Sequence, residues 1–167
     1  MQAPAESDLF EHLFATEYRG VVAAASRIVG RGAAEDIAQE TFVAYFRAGP
    51  AQAEHARNWL YRTALHRALD LLRSGRRRET RENVFKASES VPNPEDLVQR
   101  RELRRDVSRA LRRIRTRYAA VLALRYTGFS YKEIAEVIDV NVNQVGTLLL
   151  RAEAAFKKEY DRVSSLE

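Results

Sequence analysis

Cysteine is absent from this 167-residue chain, which excludes disulfides and thiolate metal sites and leaves nothing that points to an oxidising compartment. Histidine is scarce. His12, His55 and His66 lie far apart with no metal-ligand spacing, so no metal and no cofactor are expected. There is no phosphate loop of the G-x-x-x-x-G-K type, and no residue set supports an enzyme or a small-molecule substrate. No apolar run approaches the length needed to cross a bilayer. The N-terminal MQAPAESDLFEHLF lacks a basic start followed by an apolar core, so it does not read as a signal peptide, and a soluble, cytoplasmic protein is expected.

Strand signals are also missing, and nearly every segment is helical by period, which predicts an all-α fold. Asp8 to Val29 places Leu9, Phe10, Leu13, Phe14, Val21, Ala25 and Ile28 on one side, and Gly30-Arg31-Gly32 stops it. A second helix is expected from about Ala33 to Ala48, ending at Gly49-Pro50, and a third from about Arg57 to Ser74, ending at Gly75. On the third, Leu60, Ala64, Ala68, Leu71 and Leu72 are expected to pack inward. Trp59, Arg62, His66, Asp70, Arg73 and Arg77 share the opposite face. Thr80 to Pro94 mixes Ser, Asn, acids and the turn VPNP, and reads as a flexible linker. A second helical region follows, with Leu97, Leu103, Val107, Leu111 and Ile114, then Val121, Leu122 and Leu124. The expected organisation is two small helical domains on a tether: residues 5–79, a linker at 80–96, and residues 97–162.

Charge is uneven along the chain. The net charge is +5 with a pI near 9.7, a modest basic excess compatible with polyanionic partners. Between Arg57 and Arg81 eight arginines face only Asp70 and Glu79; between Arg100 and Arg117 nine face only Glu102 and Asp106. Arginine, histidine and a tryptophan on one face of the third helix suit phosphate contacts and base stacking on single-stranded nucleic acid. A partly buried domain anchor explains Trp59 about as well.

The segment SYKEIAEVIDVNVNQVGTLLLR, from Ser130 to Arg151, carries the sharpest pattern. Ser130 and Glu133 are spaced as a capping box, and Asn141 and Gln144 repeat the spacing. Ile134, Ala135 and Ile138 stripe the first helix. Val142, Val145, Leu148, Leu149, Ala152 and Phe156 are expected on the buried side of the second. Asp139 sits at the turn, where a left-handed backbone is tolerated by Asp or Asn. Small Ala135, a turn residue four later and Val145 ten later fit a DNA-reading helix-turn-helix better than an ordinary helical hairpin.

AEDIAQETFVAYFRA (34–48), NWLYRTALHRALDLLRSGRRR (58–78) and this helix-turn-helix occur in the order seen in bacterial extracytoplasmic-function (ECF) sigma factors. The chain resembles such a group-four sigma factor of the sigma-70 family over almost its whole length. The resemblance implies that the first domain is sigma region 2 and the second sigma region 4. The D-x-x-Q-E-x-F helix would dock on the clamp helices of the largest subunit of core RNA polymerase, through Asp36, Gln39, Glu40 and Phe42. The third helix and the loop before it would contact the −10 promoter element and help open the duplex, through Asn58, Trp59, Arg62, His66, Arg73, Arg76 and Arg77. An unstacked base costs a few kcal/mol to extrude, so this site needs phosphate contacts and a pocket. Asn is usual where this chain has His66. Region 4 would read the −35 element with Asn143, Gln144, Thr147, Leu150 and Arg151, while Lys132 and helix-cap N–H groups meet phosphates. An anti-sigma factor is a further expected partner.

The reading helix departs from the family pattern. Cations customary at Gly146 and Leu148 are missing, and each lost phosphate contact lowers the salt slope of binding by about 0.9. Gly146 also costs the helix about 1 kcal/mol relative to Ala. Amide side chains pair well with adenine, and Leu150 suits a thymine methyl. Ile114-Arg115 replaces the family's Leu-Pro, and Arg115 and Arg117 are placed to supply phosphate contacts. Two other readings compete with a sigma factor. One is a stand-alone helix-turn-helix regulator, which leaves the D-x-x-Q-E-x-F face unexplained. The other is a sigma-like interaction protein without DNA binding, which the Gly146 and Leu148 departures keep open.

Overall fold

A computed structural model describes residues 4–48, 55–74 and 93–166, which form seven α-helices and, among these residues, no strand. They are α1 (Pro4–Val29), α2 (Arg31–Ala48), α3 (Ala56–Arg73), α4 (Pro94–Arg113), α5 (Thr116–Thr127), α6 (Tyr131–Ile138) and α7 (Val142–Ser164). The expected linker falls largely outside the described residues, as do Gly49-Pro50, Gly75, Arg76 and Arg77.

The first three helices pack on one another. Gly30 adopts a left-handed φ of 84°, so α1 turns directly into α2 at Arg31. The break is therefore one residue rather than the three expected, and Gly32 lies inside the first turn of α2. Two buried sides on α3 also differ from the expected single stripe. Leu60, Ala64, Ala68 and Leu72 are buried as expected, but so are Tyr61, Leu65 and Leu69, while Leu71 is exposed. The second buried side has a cause: α3 packs on α5 and α6 as well as on its own bundle.

The last four helices form the second domain, with α7 packed on α4, α5 and α6. Gly128 ends α5 at φ 103°, with its N–H donating to Arg125 O and the Phe129 N–H to Leu124 O, a paired closure of the final turn. The α4–α5 break forms without proline: Ile114 and Arg115 are both extended, at ψ 164° and 145°. Val142, expected inward, is instead exposed at the start of α7. One hydrophobic cluster runs from Leu13 through Leu65 and Leu124 to Ala152, spanning both sets of helices.

Gly20 shows how closely α1 and α3 approach. A Cβ at that position would collide with the Tyr61 hydroxyl, and Tyr61 is 2% exposed. That hydroxyl donates to Glu17 Oε2 at 3.2 Å, so it is held in place. Gly20→Ala is expected to destabilise the fold by about 1–3 kcal/mol through overpacking. Adding Tyr61→Phe should recover part of the loss, as read by chemical denaturation of the single and double variants.

Candidate nucleic-acid interface

The helix-turn-helix is built from local hydrogen bonds that the sequence spells out. Ser130 Oγ accepts from the Glu133 N–H at 3.2 Å, and Glu133 Oε2 accepts from the Ser130 N–H at 2.8 Å. The bond from the Ser130 N–H is the main reason the Glu133 carboxyl titrates below its usual range, with the Ser130 side chain and Arg57 adding to the effect. Asp139 turns the chain at φ 56° and ψ 60°, and the Val140 N–H donates back to Ala135 O. At the next helix Asn141 Oδ1 accepts from the Asn143 N–H at 2.9 Å, and Gln144 Oε1 from the Asn141 N–H at 3.2 Å. Ile134, Ala135, Val137, Val145, Leu149 and Ala152 are buried beneath.

This leaves Asn143, Gln144, Thr147, Leu150 and Arg151 exposed together along one side of α7, with Lys132 exposed on α6. Leu150 is 69% exposed, so its side chain is open to a partner. A Cβ on Gly146 would meet the Tyr131 ring at an ordinary 3.7 Å, so internal packing does not demand glycine there.

On α2, Asp36, Gln39 and Glu40 are exposed, and Glu40 pairs with Arg67 of α3 at 3.2 Å. Phe42 is different. It is 1% exposed, ringed by Phe10, Phe14 and Tyr18 at centroid distances of 5.2–6.2 Å, so its side chain cannot be a contact residue. This corrects the expectation for Phe42: it holds α1 against α2 and sets the angle of the exposed face. That face continues instead into exposed Val43 and Phe46, the latter packed edge-on against Phe10 of α1.

The α3 residues are placed unexpectedly. Asn58 is half-buried, and Trp59 is half-buried against Tyr45, with centroids 5.8 Å apart, which fits the anchor reading of Trp59. Arg62 donates from Nε to the Val137 carbonyl at 2.7 Å. Arg73 donates to the Ile114 carbonyl at 2.8 Å and to Thr116 Oγ1. His66 is exposed and lines a 360 Å³ cleft between the domains with Arg62, Thr116, Arg117 and Asp139. Sequence reasoning missed Arg57, which pairs with Glu17 and Glu133, each at 3.3 Å, and lies over the Phe129 ring. It also missed the edge-to-face pair of Tyr61 and Phe129, 4.7 Å apart. Burial and the neighbouring Glu17 carboxylate raise the Tyr61 pKa well above the tyrosine range, so it stays a neutral donor. These partners lie 40 to 76 positions apart and leave no local signal.

Family comparison decides what this arrangement serves. Residues 13–78 match the sigma-70 region 2 family model, and residues 104–156 match that of sigma-70 region 4. The chain belongs to the sigma-70 family. It is an ECF sigma factor, an alternative sigma factor that directs transcription initiation. It is 31% identical over 158 residues to the ECF RNA polymerase sigma-E factor of Escherichia coli (strain K12), covering 86% of this chain and 83% of that protein. RNA polymerase sigma factor YlaC of Bacillus subtilis (strain 168) is 29% identical over 131 residues, covering 75% and 76%. Among solved structures, CnrH in complex with the cytosolic domain of CnrY superposes with a TM-score of 0.57 at 25% identity, over 92% of this chain and 88% of that one. Membership in the family makes RNA polymerase and promoter DNA the partners of this sigma factor. No helix among the described residues is long and apolar enough to cross a membrane.

The burial of Phe42 separates two effects on α2. Phe42→Ala is expected to destabilise the sigma factor by about 3–5 kcal/mol, through a cavity in the aromatic cluster. Gln39→Ala should leave the denaturation midpoint unchanged while weakening retention on immobilised core polymerase.

Proposed function

We propose that the exposed α2 face, Asp36, Gln39 and Glu40, docks this sigma factor on the clamp helices of the largest polymerase subunit. The α3 side chains Asn58, Trp59, Arg62, His66 and Arg73, with Arg76 and Arg77 beyond it, meet the −10 element and hold its opened strand. The α7 face, Asn143, Gln144, Thr147, Leu150 and Arg151, reads the −35 element in the major groove while Lys132 meets a phosphate. The protein acts in the cytoplasm and catalyses no reaction itself. The observation that carries this reading is the exposed row on α7 above a fully formed helix-turn-helix.

A protein partner that holds the factor inactive, an anti-sigma factor, fits the same surfaces. The structural likeness to CnrH, solved with the cytosolic domain of CnrY, supports a protein partner of this kind. The exposed apolar group Phe14, Val43 and Phe46 beside the α2 face would lie under such a partner.

The test is reconstitution of the purified protein with sigma-free core polymerase. Promoter-specific transcripts are expected, and no transcript from any genomic template together with no binding to core would overturn the reading. In the same assay Thr147→Ala and Arg151→Ala should each reduce promoter binding by about 1–3 kcal/mol if they meet base edges. Lys132→Gln should instead lower the salt slope by about 0.9 with no change in sequence preference.

A further inference from the structure

The arginine run from Arg100 to Arg117 has no role in the helix-turn-helix or in α3, and most of it lies on α4. At about 3.6 residues per turn, Arg101, Arg105 and Arg112 fall on one side of that helix, within about 40° of one another. All three are exposed, and among the described residues none has an acidic partner. Ala110 and Leu111 are buried away from this side, where α4 packs on α7. Other arginines of the run are engaged: Arg109 with Asp106 at 3.6 Å, and Arg113 with Glu159 at 3.8 Å. Cations are crowded here. Burial, and after it the charge of Arg100, holds the Arg104 guanidinium below the usual arginine range.

A helix has its own use for cations in its last turn, where they face the negative end of the macrodipole, and that accounts for Arg112 and Arg113. It does not account for Arg101 and Arg105. They stand one turn apart in the middle of α4, a spacing at which like charges weaken a helix. A polyanion laid along this face replaces that repulsion with attraction. The row spans about 16 Å, a rise over which one strand of B-form DNA presents about five phosphates. Exposed Glu102 flanks the row, while Asp106 is buried against Arg109. α4 contains no aromatic residue, whereas unstacked bases are held on aromatic platforms, so the face suits a duplex backbone and not a single strand.

We infer that the outer face of α4, through Arg101, Arg105 and Arg112, is a second DNA contact of this sigma factor, one that holds the phosphate backbone of duplex DNA without reading sequence. It lies outside the α7 row and does not depend on the −35 role proposed for that row. The two surfaces divide the work. α7 lacks cations at Gly146 and Leu148 and discriminates bases, while α4 supplies attraction.

The test follows binding of the full-length chain to a mixed-sequence duplex by fluorescence anisotropy over a salt series. Arg101→Gln and Arg105→Gln should each reduce the slope of log affinity against log salt by about 0.9, and the triple variant with Arg112→Gln by about 2.7. Preference for a promoter duplex over the mixed one should stay as in the wild type. Arg101→Lys combined with Arg105→Lys keeps the charges and should keep the slope. Lys157→Gln combined with Lys158→Gln, both exposed on α7, controls for net charge and should leave the slope unchanged. Circular dichroism reports whether the helices are intact, and the single variants provide the reading if the triple one fails to fold. Four results would each overturn the inference: an unchanged slope in folded variants, an equal fall in the lysine control, a loss on single-stranded DNA but not on duplex, or weaker retention on core polymerase with duplex binding intact. The last would assign the row to a protein surface. Unaltered promoter preference in Thr147→Ala and Arg151→Ala would instead strike the −35 reading, because the α4 slopes are measured on mixed-sequence DNA.

Discussion

Unmet backbone groups at helix ends are the constraint on which this molecule depends. With seven helices and no strand among the described residues, nearly every connection is a place where N–H or carbonyl groups lose their intrahelical partners. The chain meets the need in three ways. Side chains cap α6 and α7 at Ser130, Glu133, Asn141 and Gln144. Left-handed residues close α1, α5 and α6 at Gly30, Gly128 and Asp139. Carbonyls near the ends of α4 and α6 are met from the other domain, by Arg73 and Arg62. The first two solutions shape the DNA-reading unit. The third joins the halves of the protein.

Those three solutions differ in how far they could be foreseen. A capping box spans four consecutive positions, so Ser130-to-Glu133 and Asn141-to-Gln144 are written in the chain and appear as expected. Asp139 in a left-handed turn is equally local. The all-α class and the order of the helices follow from the apolar period. Arg62 and Val137 are 75 positions apart, and no period or spacing connects them. The same blindness explains α3. Tyr61, Leu65 and Leu69 look like an ordinary second flank until a neighbouring domain is known to cover them. Phe42 failed for another reason: a motif names residues that recur together, without dividing those that touch a partner from those that hold the touching residues in place. Burial makes that division here.

The α4–α5 junction shows one role filled by different chemistry. The family pattern places proline at this break, where the missing N–H and fixed φ interrupt a helix. This chain has Ile114-Arg115 and breaks nonetheless. Ile114 is 5% exposed, its side chain held in the core and its carbonyl held by Arg73. Packing and a charged hydrogen bond thus enforce an extended backbone that ring geometry would otherwise impose. The price of that substitution is dependence: the junction now draws part of its definition from the other domain.

Ion pairing also bears on where a basic protein spends its time. A chromosome offers on the order of 10⁶–10⁹ non-specific sites, and their attraction is set by the number of cations a protein can lay along phosphates. A chain of net charge +5 is exposed to that sink. Arg57 is paired within the fold with Glu17 and Glu133, whereas Arg62 and Arg73 stay exposed while donating to the Val137 and Ile114 carbonyls. Each cation laid along a phosphate adds about 0.9 to the logarithmic salt dependence of stray binding. The two carboxylates around Arg57 therefore take one cation out of that stray attraction while the rest of the basic surface remains open to it.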